Sequence, residues 1–306
     1  MQKRGRHGTA VLGHGGQEGF VHVLGDFIGK SDAFLASVDP LEINLLVAQE
    51  LPACRDLAVV EYQRTAGAWA ADLAARLTTF EDQFHASPGA WKDDIRFFRL
   101  GVLCWYVADV LGIHYREDQR DLQSVSYTDP AELFVHGVMD TRQGTCGNMA
   151  ALHVALAWRL GWPLHLACAG PHIFCRYDDC EVVHNIECTN NSQGGFQSHP
   201  DEHYQESRGI PDVAITCGSD LRALTPRQML GMFVGLRGRH REDTGLLAEA
   251  ETDYLLGRTL FPENRRLYMA QVGVSVQLSD RRFHEGETGH YTGLARWLRG
   301  EVNHSR

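Results

Sequence analysis

From residue 39 the chain runs through apolar positions at three- and four-residue spacing, broken by short polar or glycine-containing stretches. Asp39-Pro40-Leu41-Glu42 reads as a helix start, with aspartate as N-cap, proline at the first helical position and glutamate at the third. That helix is expected to run to Leu51, ahead of Pro52. A longer stripe over about 56–80 carries Leu57, Val60, Ala70, Leu73 and Leu77, and another over about 91–111 carries Ile95, Phe98, Val102, Tyr106 and Val110 before Gly112. Asp129-Pro130-Ala131-Glu132 repeats the cap and predicts a helix that delivers the chain to Gly144. Behind Cys146, the residues Met149, Leu152, Leu156 and Leu160 recur at helical spacing until Gly161, placed as a C′ residue. These faces read as packing surfaces.

The period then changes. Leu164-His165-Leu166-Ala167-Cys168, Gly170-Pro171-His172-Ile173-Phe174-Cys175-Arg176-Tyr177 and Val182-Val183-His184-Asn185-Ile186-Glu187-Cys188 are strand-like runs. The last two flank Asp178-Asp179-Cys180-Glu181 and predict a β-hairpin with a loop of either two or four residues. Both loops give one pairing: Tyr177 faces Val182 and, counting outward, His172 faces Glu187, with Phe174 opposite Asn185 on the face expected to cover the Cys146 helix. Directly opposed side chains share a face with Cβ atoms about 4.5–5.5 Å apart, close enough for an imidazole–carboxylate hydrogen bond. After the loop signal at 190–195, helical patterning resumes at Ser219, with a third cap at Thr225-Pro226-Arg227-Gln228 ahead of Met229, Leu230, Phe233 and Leu236. Val272-Gly273-Val274-Ser275-Val276 alternates like a strand yet follows a helical turn, so both readings stand there, and 295–298 suggests a short final helix.

Composition narrows the class. The chain of 306 residues is 43% hydrophobic and 22% charged, ordinary for a globular protein with a sizeable core. A formal charge of −10 argues against nucleic acid as a partner. No apolar run reaches membrane-spanning length, and Ala10-Val11-Leu12 is too short for a signal-peptide core. The eight cysteines show no disulfide-framework spacing, which points to a reducing compartment, the cytoplasm. Residues 1–30 are rich in glycine and histidine and expected to be a loosely held leader, 31–215 a core domain with a helical lead-in, and 216–306 a helical tail.

Cys146 is the candidate nucleophile. Gly144 breaks the chain, Thr145 offers a cap, and the cysteine enters the first helical turn, where free N–H groups and the helix dipole favour a thiolate. A cysteine there is by itself an ordinary small core residue. A histidine and a carboxylate downstream, in the order Cys146, His172, Glu187, change its meaning to nucleophile, base and orienting acid.

Gly144-Thr145-Cys146-Gly147, His172 heading a strand, and Asn185-Ile186-Glu187-Cys188-Thr189 together resemble the core of the transglutaminase-like superfamily, over about 39–204. The resemblance is nearest to bacterial members with a helical lead-in and a tetratricopeptide-like tail. It implies an α+β, papain-like fold: a catalytic helix packed on an antiparallel sheet that carries histidine and acid. It implies cysteine-dependent acyl transfer on a peptide or protein amide or ester, by a peptidase, deamidase or transglutaminase. Glu187 stands where the superfamily usually has aspartate. The resemblance also implies an aromatic or polar residue from the region of Tyr127 lining the cleft, where a hydroxyl could help hold an oxyanion, against the plainer reading of a tyrosine packed on a loop. The stretch from Gly245 to Asn264 is similar to the second helix of a tetratricopeptide repeat; one unit forms no superhelix, so it is expected to cap the core or offer a groove to a protein partner. The competing function is a non-catalytic interaction protein that uses this tail.

Two metal-like patterns were weighed and set aside, so that no metal and no cofactor is expected. His199-Pro200-Asp201-Glu202-His203 matches a zinc-peptidase pattern that needs a mid-helix setting, and Pro200 permits only a helix start. Cys175, Cys180, His184 and Cys188 lie on the hairpin, where residues four apart are about 13 Å from one another.

Overall fold

The structure is a computed structural model that describes residues 22–119, 127–189 and 195–298, with side chains as far as residue 281. Of the segment expected to be a loosely held leader, 1–21 lies outside the described residues; in the remainder, Leu24 and Phe27 are buried in the core. The lead-in comprises helices α1 (Asp32–Leu35), α2 (Pro40–Gln49), α3 (Val59–Ala86) and α4 (Ile95–Trp105). Two two-residue strands, β1 (His114–Tyr115) and β2 (Gln143–Gly144), pair in parallel on either side of α5 (Val135–Thr141). Helix α6 (Cys146–Arg159) leads into an antiparallel sheet of β3 (Leu164–Ala169), β4 (His172–Asp178) and β5 (Val183–Ile186), in that order. Helices α7 (Asp201–Arg208), α8 (Asp212–Thr216), α9 (Pro226–Asp243), α10 (Leu247–Leu260) and α11 (Arg265–Leu298) complete the chain. The α+β expectation holds: a small antiparallel sheet sits in a largely helical molecule.

Caps written in the sequence form as hydrogen bonds. The Asp39 carboxylate accepts from Leu41 N–H at 2.9 Å and also pairs with Arg159, tying the start of α2 to the end of α6. Thr225 and Gln228 cap α9 reciprocally, at 2.9 and 3.3 Å. An N-cap of this kind is worth about 1 kcal/mol. Helix α2 is buried nearly all round, and its one polar interior residue, Asn44, accepts from Val135 N–H at 2.9 Å, one of the otherwise unpaired donors at the start of α5.

One large core joins α2, α6 and the inner face of the sheet to Leu230, Phe233, Val234, Tyr254 and Leu267 of the C-terminal helices. It therefore spans the expected division at residue 215. Helices α9 and α10 approach closely at Gly231 and Gly257, where a Cβ on either would stand 3.1–3.2 Å from the other's carbonyl oxygen. A buried ion pair, Arg237 to Asp253 at 2.6 Å with Arg241 joining at 2.8 Å, locks the same two helices.

Four expectations change. The stripe ending at Gly112 is not one helix: a 3-10 turn (Pro88–Trp91) precedes α4, and a π-turn (Tyr106–Val110) follows it. Asp129 does cap, accepting from Ala131 N–H at 2.9 Å, but the turn it starts (Pro130–Glu132) stops before α5. Its carbonyls are engaged elsewhere: Ala131 O accepts from Asn148, and Glu132 O from the Thr145 hydroxyl. The expected short final helix is the end of a single long helix, α11, and Val272-Gly273-Val274-Ser275-Val276, open to either reading, is helical within it. Lastly, the hairpin register is displaced by two residues, pairing Tyr177 with His184 and Arg176 with Asn185. Asp179 Oδ1 accepts from the N–H groups of both Glu181 and Val182, which shifts the four-residue loop one position onward; Cys180 takes φ 69°. Phe174 therefore does not face Asn185, and it lies on the outer face of the sheet with Tyr204, Ala214 and Leu221, away from α6.

Candidate active site

Cys146 opens α6 on a loop that cannot relax outward. Thr145 N–H donates to Asn148 Oδ1 at 2.8 Å, while the Thr145 hydroxyl, the expected cap, donates at 2.7 Å to Glu132 O instead. Gly144 is required here by space: a Cβ would fall 2.5 Å from Met149 Cγ and 2.7 Å from Asn148 Oδ1. The thiol is thus held at the first turn of a fourteen-residue helix, partly exposed.

His172 begins β4, directly after the turn at Gly170 and Pro171, and is almost wholly buried. One ring nitrogen, Nε2, donates to Glu187 Oε2 at 2.6 Å, and the ring faces the Cys146 thiol closely enough to lower its pKa. The imidazole therefore stands between thiol and carboxylate. Its plane is supported by Phe174 and Tyr204, stacked on each other at 4.3 Å.

Glu187 reaches the histidine by a different route from direct opposition. The observed register continued outward would set His172 opposite Thr189, with Glu187 one diagonal step away. A two-residue displacement keeps the side chain on the same face, where a one-residue slip would have reversed it. Diagonal neighbours are about 7–8 Å apart, a gap that a glutamate arm spans better than an aspartate arm. The carboxylate is fixed from behind by Thr189, whose N–H and hydroxyl donate to Oε1 at 3.0 and 2.6 Å. Glu187 N–H in turn donates to Gln197 O at 2.9 Å.

The electrostatics follow from these contacts. Burial alone would raise the Cys146 pKa; the hydrogen bond and positive charge of His172, then the Ile173 N–H, outweigh it and hold the thiol below its ordinary value. Burial likewise disfavours the imidazolium, yet its bonds to Cys146 and Glu187 lift His172 to about 9. Glu187 is held below the usual carboxylate range, its burial outweighed by His172 and Thr189. Nearby Cys168 has no such partner, and burial pushes it up to about 12.

Beside this group lies a cavity of about 660 Å³ between the β3–β4 turn and helices α9 and α11. Ile173, Leu236 and Tyr127 carry it to the cysteine: the Ile173 and Leu236 side chains flank Gly147, the residue after Cys146. Tyr127 lines the cavity within electrostatic range of Cys146; burial, then that sulfur, raises its phenol. Its carbonyl accepts from His240 at 2.9 Å, so α9 positions it.

Sequence reasoning missed Ile173 N–H, Thr189, Asn148 and the C-terminal wall of the cavity. Thr189 is the last residue of the quoted motif, and its role could have been found from its place after Glu187-Cys188; the others depend on tertiary contacts. The residues of the two metal-like patterns lie in different places, some of them in contact with one another. His199 precedes α7 and stacks on His203 at 4.0 Å, His184 bonds Asp94 at 2.8 Å, and Cys180 is exposed on the turn. Cys175 and Cys188 do approach, at 3.3 Å between sulfurs, packed beneath α6.

A family model described as Transglutaminase-like superfamily matches residues 73–232, just over half of the chain, from within α3 into α9. No curated protein and no solved structure matches the chain.

Proposed function

The chain belongs to the transglutaminase-like superfamily, whose members include cysteine acyltransferases and peptidases, and on that footing we propose that it is a cysteine enzyme working through Cys146, His172 and Glu187. One observation carries this reading: a half-buried cysteine at a helix N-terminus whose thiol interacts with an imidazole that is itself bonded, at 2.6 Å, to a half-buried carboxylate.

The chemistry begins from a thiolate–imidazolium pair, which Glu187 stabilises by balancing the imidazolium charge and fixing its orientation. The thiolate attacks a carbonyl carbon of an amide or ester, forming a C–S bond and moving the carbonyl electrons onto oxygen. The N–H of Cys146, at the helix start, is the donor suited to that oxyanion. As the C–N or C–O bond breaks, His172 gives its proton to the leaving group. The resulting thioester is then attacked by water or an amine, His172 taking the acceptor's proton, and the thiolate departs. A peptide or protein is the substrate class that the superfamily implies. Among the described residues no helix is long and apolar enough to cross a membrane, and the free thiols support a cytoplasmic setting.

The test is acyl-enzyme capture. Incubation with a peptide-amide library, followed by intact-mass and peptide mapping, should find an acyl adduct on Cys146 that Cys146→Ala lacks. An enzyme that turns over such amides equally well as Cys146→Ala would refute the assignment.

A further inference from the structure

The charge on the walls of the cavity beside Cys146 is opposite to that of the chain. The protein carries 39 acidic and 29 basic residues, a formal charge of −10. Yet the charged side chains lining the cavity are Arg208, Arg239, Arg265 and Arg266 against the single Asp220. Asp220 is already engaged, accepting from Gly170 N–H at 2.6 Å. Arg239 is paired with Asp243 at 3.0 Å and, more loosely, with Glu242 at 3.8 Å, and lies over the Tyr127 ring, 5.0 Å from its centroid. Among the described residues, Arg208, Arg265 and Arg266 make no ion pair.

Arg266 has the most telling position. Its guanidinium lies against Gly170, where a Cβ would come within 3.0 Å of Nη2. Gly170, at φ 67°, is in the turn that leads directly to His172, so this arginine of α11 sits over the approach to the reacting group. Asn264 Oδ1 takes the N–H groups of Arg266 and Leu267, at 3.0 and 3.1 Å. The helix start thus spends its own donors on a cap, and the guanidinium groups are what remains to meet a ligand.

We propose that this cavity binds an acidic peptide segment next to the scissile bond, with Arg266 and Arg239 as its carboxylate-recognising residues. The inference rests on the cysteine-enzyme reading above and specifies its substrate class. Guanidinium forks match carboxylates in a bidentate manner, and about 660 Å³ accommodates several side chains. An acidic body with a basic cleft also directs anionic segments toward that cleft.

The experiment uses Cys146 as its own reporter. Alkylation of this residue by iodoacetate, which is anionic, is compared with alkylation by neutral iodoacetamide. The iodoacetate-to-iodoacetamide rate ratio should exceed that of exposed Cys180 about three- to tenfold at low ionic strength, and fall as salt is added. Arg266→Gln and, separately, Arg239→Gln should lower it; the ratio cancels any change in thiolate content. Protection of Cys146 from iodoacetamide is then measured with a capped penta-glutamate peptide, its penta-glutamine counterpart, and the glutamine peptide bearing a free C-terminal carboxylate. Protection by the glutamate peptide assigns side-chain carboxylates; protection by the free carboxylate assigns a chain terminus; either supports the proposal. Equal protection by all three peptides, or a ratio that neither arginine variant changes, overturns it. Failure of the underlying reading looks different: iodoacetamide then modifies Cys146 no faster than Cys180, and this inference falls with it.

Discussion

Replacing Glu187 by glutamine keeps the side-chain volume and removes the charge that faces His172. The substitution acts in two opposed ways. It removes a negative charge near Cys146, the weakest of the influences on that thiol, which favours the thiolate. It also removes a carboxylate in contact with the imidazolium, second only to Cys146 in raising His172, which disfavours the pair. The contact at 2.6 Å outweighs the longer-range effect, so the pair should be lost at lower pH. Lifting His172 from 6.5 to about 9 corresponds to about 3 kcal/mol. If Glu187 supplies a third to a half of that, its removal costs about tenfold in the thiolate–imidazolium population. The assay is the second-order rate of Cys146 alkylation by iodoacetamide against pH, followed by intact mass. The break in the alkylation profile that marks loss of the imidazolium, at about 9 in the native protein, should move down by about one pH unit in the glutamine variant, with turnover reduced about 10²–10⁴-fold as for loss of positioned acid–base catalysis. Glu187→Asp is the companion variant: it keeps the charge but shortens the arm by about 1.5 Å, opening the contact beyond hydrogen-bond length. It should fall between the two. A folded Glu187→Gln protein with an unchanged alkylation profile would refute the reasoning.

Thr189→Val removes both the hydroxyl bond and some order behind Glu187 Oε1, and the acid limb of the alkylation profile should move upward while the circular dichroism stays native. His172 has a folded pKa above its unfolded value, so its charge contributes stability that is complete below about 6.5 and is lost as pH rises through the folded value; in a Cys146→Ala background, which removes the opposing contribution of the depressed thiol and leaves the Glu187 contact, the urea midpoint should decline above about 6.5, and His172→Gln should abolish the decline. Asp253→Asn leaves the Arg237 guanidinium buried without its counter-charge, and equilibrium unfolding in urea should show a loss of about 3–5 kcal/mol. Gly137→Ala would place a Cβ 1.8 Å from Ala131 O, so the same measurement should show a loss of about 3 kcal/mol or more, together with slower Cys146 alkylation because Ala131 O holds Asn148.

Local chemistry determined a good part of this protein. Asp39-Pro40 and Thr225-Pro226 start helices because a side-chain oxygen meets unpaired N–H groups only a few residues away, and Gly161 ends α6 because a C′ residue needs positive φ, here 74°. The three strand runs and the helix start at Cys146 were legible for the same reason, and so was the shared face of His172 and Glu187, since a strand alternates with period two. The register itself was not legible. Asp179 had to choose its backbone partners, and that choice moved the pairing by two residues, leaving Glu187 diagonal to His172. The segment after Asp129 broke because its carbonyls bond Asn148 and Thr145, whose apolar stripe gave no sign of them. The cavity wall was the least legible feature. Arg239 and Arg266 are roughly ninety to a hundred and twenty positions beyond Cys146, and nothing in their own neighbourhood marks them. Only the packing of α9 and α11 on the shared core brings them to the cavity by the β3–β4 turn, because burial of apolar area is blind to sequence distance while hydrogen-bonded caps and strand alternation are not.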